Sequence, residues 1–208
     1  MGLFLDLLGI ASSDSHAVEQ AVRQYFIERG GALILDDAAS DDPNTMTIVD
    51  APQDKVSLVH CGSYTNWDAV AANLSAHLAT PVFCFHIHDG DLWMYTLYVD
   101  GILKDQFNPL PTYWSGAITD AERQHNAGSV TIVCRYWPGV QPSTLQNYLT
   151  VWDLDTEDEE FAYPDDQFPY GDAWQVIDFM TKLGLHYPFD NEKRIAGHTF
   201  RLTMPQLA

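Results

Sequence analysis

Three short apolar segments joined by two Asp-Gly pairs constrain the fold of this chain more than any other feature. The segments are 82–88, 91–99 and 102–107, and Asp89-Gly90 and Asp100-Gly101 separate them. Asp-Gly favours a two-residue type I′ turn, because both central residues of that turn need positive φ. The sequence therefore predicts an antiparallel three-stranded meander over about 82–107.

Two-residue turns also predict which residues lie opposite one another in the meander. The expected pairs are His88 with Asp91, His86 with Trp93, Cys84 with Tyr95 and Val82 with Leu97 in the first hairpin, and Leu97 with Lys104, Tyr95 with Gln106 and Met94 with Phe107 in the second. Side chains alternate across a sheet, so each face of the meander has its own composition. The predicted core face carries Phe83, Phe85, Ile87, Leu92, Met94, Tyr98, Leu103 and Phe107. The other face is polar and aromatic, either solvent-exposed or a contact surface, and carries Cys84, His86, His88, Asp91, Trp93, Tyr95, Lys104 and Gln106.

Hydrophobic periodicity and capping residues predict the remaining elements. Helices are expected over about 15–29, 65–78, 119–126, 143–152 and 173–183, and the second begins with a capping box of Thr65 and Asp68. Strands are expected over 32–35, 46–49, 55–61 and 130–136. The apolar residues 1–10 are expected to form an arm that docks on the core, and 36–44 an exposed loop. This order predicts an α+β fold, with helices packed on an antiparallel sheet and a mainly helical C-terminal half. We expect one domain over 1–208; the alternative is a sheet part over 1–110 and a mainly helical part over 111–208.

Charge excludes some classes of partner. The chain has 10 Lys and Arg against 29 Asp and Glu, a net charge of −19, so a nucleic-acid polyanion is an unfavourable partner. The local excess of acids at 153–172 lacks the Gly and Glu spacing of a calcium-binding EF-hand. It predicts a solvated loop, and the alternative is a docking strip for a basic partner. The apolar start is too short to span a bilayer, and Asp6 interrupts it. Three cysteines without metal or disulfide spacing favour a cytoplasmic protein.

The sharpest chemical candidate is the segment from His86 to Asp91. Two His at i and i+2 on a strand point the same way, and a turn would bring Asp91 opposite His88, so the set could accept Zn²⁺ or Fe²⁺. The simpler interpretation is a cross-strand pair of His88 and Asp91, with His86 stacked on Trp93. A thiol dyad of Cys84 and His86 is a weaker alternative, because i and i+2 side chains on a strand lie about 6–7 Å apart.

The order of a helix, three strands, a helix and a further meander over residues 14–127 resembles the type III secretion chaperone-like fold. That fold is similarly small and acidic, and the resemblance implies a protein that binds another protein. The resemblance concerns element order and acidity rather than a sequence motif, and this chain adds a third meander strand and about 80 further residues.

The resulting hypothesis is a non-enzymatic, cytoplasmic binding module for a basic or amphipathic protein partner, with a chaperone-like or immunity-like role. Long-range attraction by the acidic surface would steer such a partner. The predicted binding residues are His86, His88, Asp91, Trp93 and Tyr95. No cofactor, nucleic acid or membrane is expected, and a homodimer through the same face stays open. The alternative is a metal-dependent hydrolase that uses His86, His88 and Asp91.

Overall fold

The computed structural model describes residues 2–36, 44–51, 55–61, 66–153, 160–187 and 197–204. Its strands form one antiparallel sheet and are β1 (Leu5–Ile10), β2 (Ala32–Leu35), β3 (Thr45–Ala51), β4 (Lys55–Cys61), β5 (Val82–His88), β6 (Leu92–Val99), β7 (Ile102–Phe107) and β8 (His198–Thr203). The helices are α1 (Ser15–Ile27), α2 (Trp67–His77), α3 (Asp120–His125), α4 (Val130–Tyr136) and α5 (Gln175–Lys182), with a 3-10 turn at Pro142–Thr144. The predicted α+β class, with helices packed on an antiparallel sheet, is confirmed. Most of the predicted loop over 36–44, the predicted cap at Thr65 and residues 154–159 of the predicted acidic loop lie outside the described residues.

The strand order across the sheet is β2-β8-β3-β4-β1-β5-β6-β7. The apolar N-terminal segment is therefore a central strand, rather than an arm that lies against the core. Leu8 pairs with Leu58 of β4 on one side and with Cys84 of β5 on the other. Successive side chains of a strand point to opposite faces, and both Leu7 and Leu8 are buried, so β1 is covered on both faces.

Each face of the sheet has its own hydrophobic core. Helices α1 and α2 cover the first face, where their apolar stripes pack on β1, β3, β4, β5 and β8. Asp14 caps α1, because its side chain accepts the N–H of Ala17. The second face is covered by α4, α5 and the connecting segments, and it holds most of the large aromatic side chains. These are Phe83, Phe85, Trp93, Tyr95, Phe107, Trp137, Tyr148, Trp152 and Phe179.

The C-terminal half departs from the prediction in three places. Residues 130–136, predicted as a strand, form α4, because the Ser129 side chain accepts the N–H of Ile132 and begins a helix. Residues 143–152, predicted as a helix, contain only the 3-10 turn. Tyr148 there is buried, and its hydroxyl donates to Asp166, so tertiary packing overrides the helical pattern. Strand β8, absent from the prediction, pairs with β2 and β3.

The first meander turn has the predicted backbone but not the predicted register. Asp89 and Gly90 both have positive φ, at 54° and 79°, as a type I′ turn requires. Asp91, however, is an extra residue on its strand, so His88 pairs with Leu92 and His86 with Met94. A shift of one residue moves a whole strand's side chains to the opposite face.

The shift has a packing reason, because it moves Trp93, Tyr95 and Leu97 to the face that carries Phe83 and Phe85. The predicted face of Trp93 and Tyr95 was therefore wrong. Met94, predicted on the core face, pairs with His86 and is only partly buried.

The second turn keeps its predicted register only close to the turn. Val99 pairs with Ile102 as expected, and the ladder then shifts by one residue beyond Tyr98, so that Leu97 pairs with Asp105. This second bulge brings the Asp105 carboxylate within 2.7 Å of the Tyr95 hydroxyl, which donates to it. Both turns form where they were predicted. In each hairpin an added residue then shifts the strand pairing by one position, so the predicted pairs after that residue are wrong.

Candidate functional site

The structure does not bring the five predicted binding residues together on one surface. Trp93 and Tyr95 are fully buried in the second core, where Trp93 Nε1 donates to Gln175 Oε1 at 3.2 Å. His86 and His88 lie on the opposite face of the sheet. In this conformation the two aromatic side chains support the core and do not reach the surface.

His88 lies at the centre of an aromatic group at the tip of the first hairpin. Its ring makes edge contacts with Phe4, Tyr113 and Trp114 at centroid distances of 4.9, 5.7 and 5.1 Å. Tyr113 and Trp114 also contact each other, at 5.1 Å. The Tyr113 hydroxyl donates to Asp91 Oδ2 at 2.6 Å, so the extra residue of the turn anchors the loop at 110–116. We call these residues the hairpin-tip cluster: Phe4, His88, Asp91, Tyr113 and Trp114.

The hairpin-tip cluster is open to solvent. Phe4 is 60% exposed, Trp114 56% and Tyr113 37%. Large aromatic side chains usually bury most of their surface within a fold, and a group of them left outside marks a contact surface. The predicted role of His88 and Asp91 in binding is compatible with this placement.

His86 lies one step further along the same face, between two carboxylates. Its Nδ1 is 2.5 Å from Asp6 Oδ1, and its Nε2 is 3.3 Å from Asp68 Oδ2. The ladder places Asp6 of β1 directly opposite His86 of β5. Burial acts to lower the pKa of His86, but electrostatic interaction with Cys84 and hydrogen bonds to the two carboxylates hold it well above 6.5.

Asp68 lies in the first turn of α2, and its carboxylate is directed towards the sheet. The side chain of Asn66 begins the helix, because it accepts the N–H of Ala69. Thr96 and Tyr98 donate to Asp68 Oδ1 at 2.6 and 3.0 Å, which leaves Oδ2 facing the imidazole.

These contacts decide the charge of Asp68. Burial acts to raise its pKa, but the hydrogen bond and charge of His86 and the donors Thr96 and Tyr98 lower it to about 2. At neutral pH the carboxylate is therefore ionised and faces a protonated imidazole.

Cys84 lies next to His86 on this face and is fully buried. Burial is the largest cause that raises the pKa of its thiol, to about 11. The Cys84 sulfur lies within 4.8 Å of a ring nitrogen of His86, closer than the strand spacing suggested, but a buried thiol that keeps its proton is a poor nucleophile. Within the described residues, one group of at least three potential metal ligands lies close together: ligand atoms of Asp68, Cys84 and His86 are all within 4.8 Å of one another. That group differs from the predicted set of His86, His88 and Asp91.

An open pocket of about 310 Å³ adjoins His86. Asp68 and His86 form one side of it, and Thr96 and Gln106 continue along the same sheet face. Gln106 Nε2 donates to Asn126 Oδ1, which connects the end of α3 to the pocket wall. Asp68 and His86 are therefore accessible from solvent, whereas Cys84 lies behind them.

Two signals in the sequence could have indicated the residues that the prediction missed. Asp6 is the single charge in an otherwise apolar segment, which is typical of a strand whose carboxylate has a partner. Tyr113 and Trp114 are aromatic residues in a loop bounded by proline and glycine, where core packing is not expected. No local signal assigns Asp68 to His86, because the two are 18 residues apart and meet only through tertiary packing.

Comparison with models of protein families, with curated proteins and with solved structures gives no match. In the part of the chain that the structure describes, every helix is too short or too polar to cross a bilayer.

Proposed function

We propose that this protein is a non-enzymatic binding module that captures a basic, amphipathic segment of a protein partner through the hairpin-tip cluster. The observation that carries the proposal is the exposure of three large aromatic side chains around His88, next to an acidic turn. A chaperone-like or immunity-like role is compatible with such a surface.

The aromatic part of the cluster supplies the apolar contact. Trp and Tyr are enriched among the interface residues that contribute most to binding energy. The rings of Tyr113 and Trp114 are held by each other and by His88, and the hydroxyl of Tyr113 is fixed to Asp91. A surface that is already ordered loses little conformational entropy when a partner binds.

The acidic part of the cluster favours a cationic partner. Asp89 and Asp91 border the rings, and both act electrostatically on the Tyr113 hydroxyl, whose pKa is raised to about 12 chiefly by its hydrogen bond to Asp91. An Arg side chain can stack on Trp114 while its charge is attracted by these carboxylates. The net charge of −19 extends this attraction over a longer range.

The proposal is tested with a synthetic amphipathic helical peptide rich in Arg and Leu, and with a matched peptide in which every Arg is replaced by Glu. Isothermal titration calorimetry at low salt measures both affinities for the full chain. We expect the Arg peptide to bind and the Glu peptide not to bind. Trp114→Ala preserves the charge of the protein. It is expected to weaken binding of the Arg peptide by about 10- to 30-fold, which is typical of the loss of one aromatic residue at the centre of an interface.

Phe161→Ala is the matched control, because Phe161 is an exposed aromatic residue beside the acidic Glu160 and outside the cluster. We expect this variant to change the affinity by less than about twofold, which is typical of residues outside the centre of an interface. Equal affinities for Trp114→Ala and Phe161→Ala would show that the peptide responds only to overall charge, and the proposed surface would be wrong.

A further inference from the structure

We infer that Asp68, Cys84 and His86 form a Zn²⁺ site, in which Asp6 orients the imidazole and the adjoining pocket leaves one coordination position open. This inference concerns a cluster beside the hairpin-tip cluster and does not depend on the proposed partner. It rests on the proximity of the three ligand atoms, on their supporting hydrogen bonds and on access from the pocket.

The donor set selects the metal. One thiolate sulfur, one imidazole nitrogen and one carboxylate oxygen are a mixed set that suits Zn²⁺, and less so Mg²⁺ or Ca²⁺, which prefer oxygen ligands. The three ligand atoms already lie within 4.8 Å of one another. A tetrahedral Zn²⁺ ion has bonds of about 2.0–2.3 Å, so its ligand atoms lie about 3–4 Å apart and these three would have to approach one another further.

Hydrogen bonds around the cluster hold two of the ligands in orientations that suit a metal. Asp6 accepts a hydrogen bond from Nδ1 of His86, which directs Nε2 towards Asp68. A metal bound at Nε2 needs this tautomer, in which the proton is on Nδ1. Metal-binding histidines usually have such a carboxylate on the other ring nitrogen. Thr96 and Tyr98 occupy Oδ1 of Asp68 and leave Oδ2 as the free ligand atom.

Metal binding at this site would be coupled to proton release. Zn²⁺ binds a thiolate and a neutral imidazole nitrogen, so protons on Sγ of Cys84 and Nε2 of His86 would leave to solvent as the ion enters.

Three protein ligands and an open side are typical of zinc sites that bind water or a substrate at the fourth position. The pocket of about 310 Å³ gives access to Asp68 and His86, and its Gln106 and Asn126 side chains are polar. The pocket is therefore wide enough for a small fourth ligand.

The test uses the full chain after treatment with a chelator. Titration with Zn²⁺ alone in two buffers of different ionisation enthalpy is expected to give one bound ion and release of about two protons per site. Titration with Co²⁺ is expected to give the near-ultraviolet charge-transfer absorption of a cobalt thiolate. This spectrum reports sulfur ligation in the unaltered protein, so it does not depend on whether any variant folds. Absence of saturable one-to-one binding, or a cobalt complex without the thiolate absorption, would overturn the inference.

Variants assign the ligands. Cys84→Ser is expected to abolish the thiolate absorption and to lower the affinity for Zn²⁺ by at least about 100-fold. Asp6→Asn, which acts through His86, is expected to lower this affinity by about 10- to 100-fold. Cys61→Ser and Cys134→Ser are the matched controls and should leave both signals unchanged. Loss of the absorption in a control variant, with retention in Cys84→Ser, would place the metal elsewhere and refute the site. Trp114→Ala should bind Zn²⁺ normally, so failure of the peptide proposal and failure of this inference are distinguishable.

Discussion

Replacement of Asp68 by Asn tests the ion pair with His86 in the metal-free protein. The Asn side chain keeps an oxygen that can accept from Thr96 and Tyr98, so the substitution mainly removes the negative charge beside the imidazole. The pKa of Asp68 falls from 3.8 to about 2, which at about 1.36 kcal/mol per unit sets an upper bound of about 2.4 kcal/mol. Because the Asp68 side chain is 42% exposed, solvent screening reduces the expected loss of stability to about 1 kcal/mol.

The loss is expected to depend on pH in a defined way. The pKa of Asp68 is lower in the folded chain, so its contribution is complete above 3.8 and disappears as the pH falls through about 2. The pKa of His86 is raised, so its contribution is complete below 6.5 and disappears as the pH rises through the raised value. The effect of Asp68→Asn should therefore be largest between about pH 4 and 6.5.

Urea denaturation in the presence of a chelator, at pH 3, 5.5, 7 and 9, measures this difference in the free energy of unfolding. Asp165→Asn is the matched control, because Asp165 also faces a cation, Lys182 at 2.8 Å, but is largely exposed. We expect a smaller effect for the control at every pH. An Asp68→Asn deficit that equals the control, or that does not vary with pH, would refute the assignment of this ion pair.

Two further pairs of substitutions test the meander by thermal and urea denaturation. Gly90→Ala places a Cβ at a φ of 79° and is expected to lower the free energy of unfolding by about 1–2 kcal/mol. Gly116→Ala adds a Cβ with no atom within 4 Å and should be close to neutral. Equal effects of the two substitutions would argue against the described turn. Tyr95→Phe removes the buried donor to Asp105 and is expected to cost about 1–3 kcal/mol. Tyr113→Phe removes an exposed hydroxyl and should cost less, so the reverse order would contradict the described register.

The turns of the meander could be predicted from sequence because they depend on local chemistry. Asp-Gly is compatible with positive φ, and both turns form where the two pairs occur. The ladders could not be predicted, because a bulge adds one residue without changing the turn signal. Packing determines the register, because it buries Tyr95 against Phe83 and Trp93 against Phe179 rather than leaving them beside His86.

The candidate site could be predicted only in part, because only some of its residues are close together in the sequence. His86, His88 and Asp91 belong to one hairpin and could be recognised together in the sequence. Their actual neighbours come from other parts of the chain: Asp6 from β1, Asp68 from α2 and Trp114 from the loop after β7. The first turn of α2 illustrates the ambiguity: Thr65 and Asp68 fit a capping box in the sequence, and the structure shows tertiary contacts of the Asp68 carboxylate that the pattern does not reveal.

The central claim is that the aromatic surface around His88 is where a cationic partner binds. Titration of the isotope-labelled protein with the Arg-rich amphipathic peptide, followed by two-dimensional NMR, tests it most directly. We predict that the backbone signals of Phe4, His88, Asp91 and Tyr113 and the indole N–H of Trp114 shift together and saturate with one dissociation constant. Shifts concentrated in residues 160–172, or spread evenly over the acidic surface, would contradict the account.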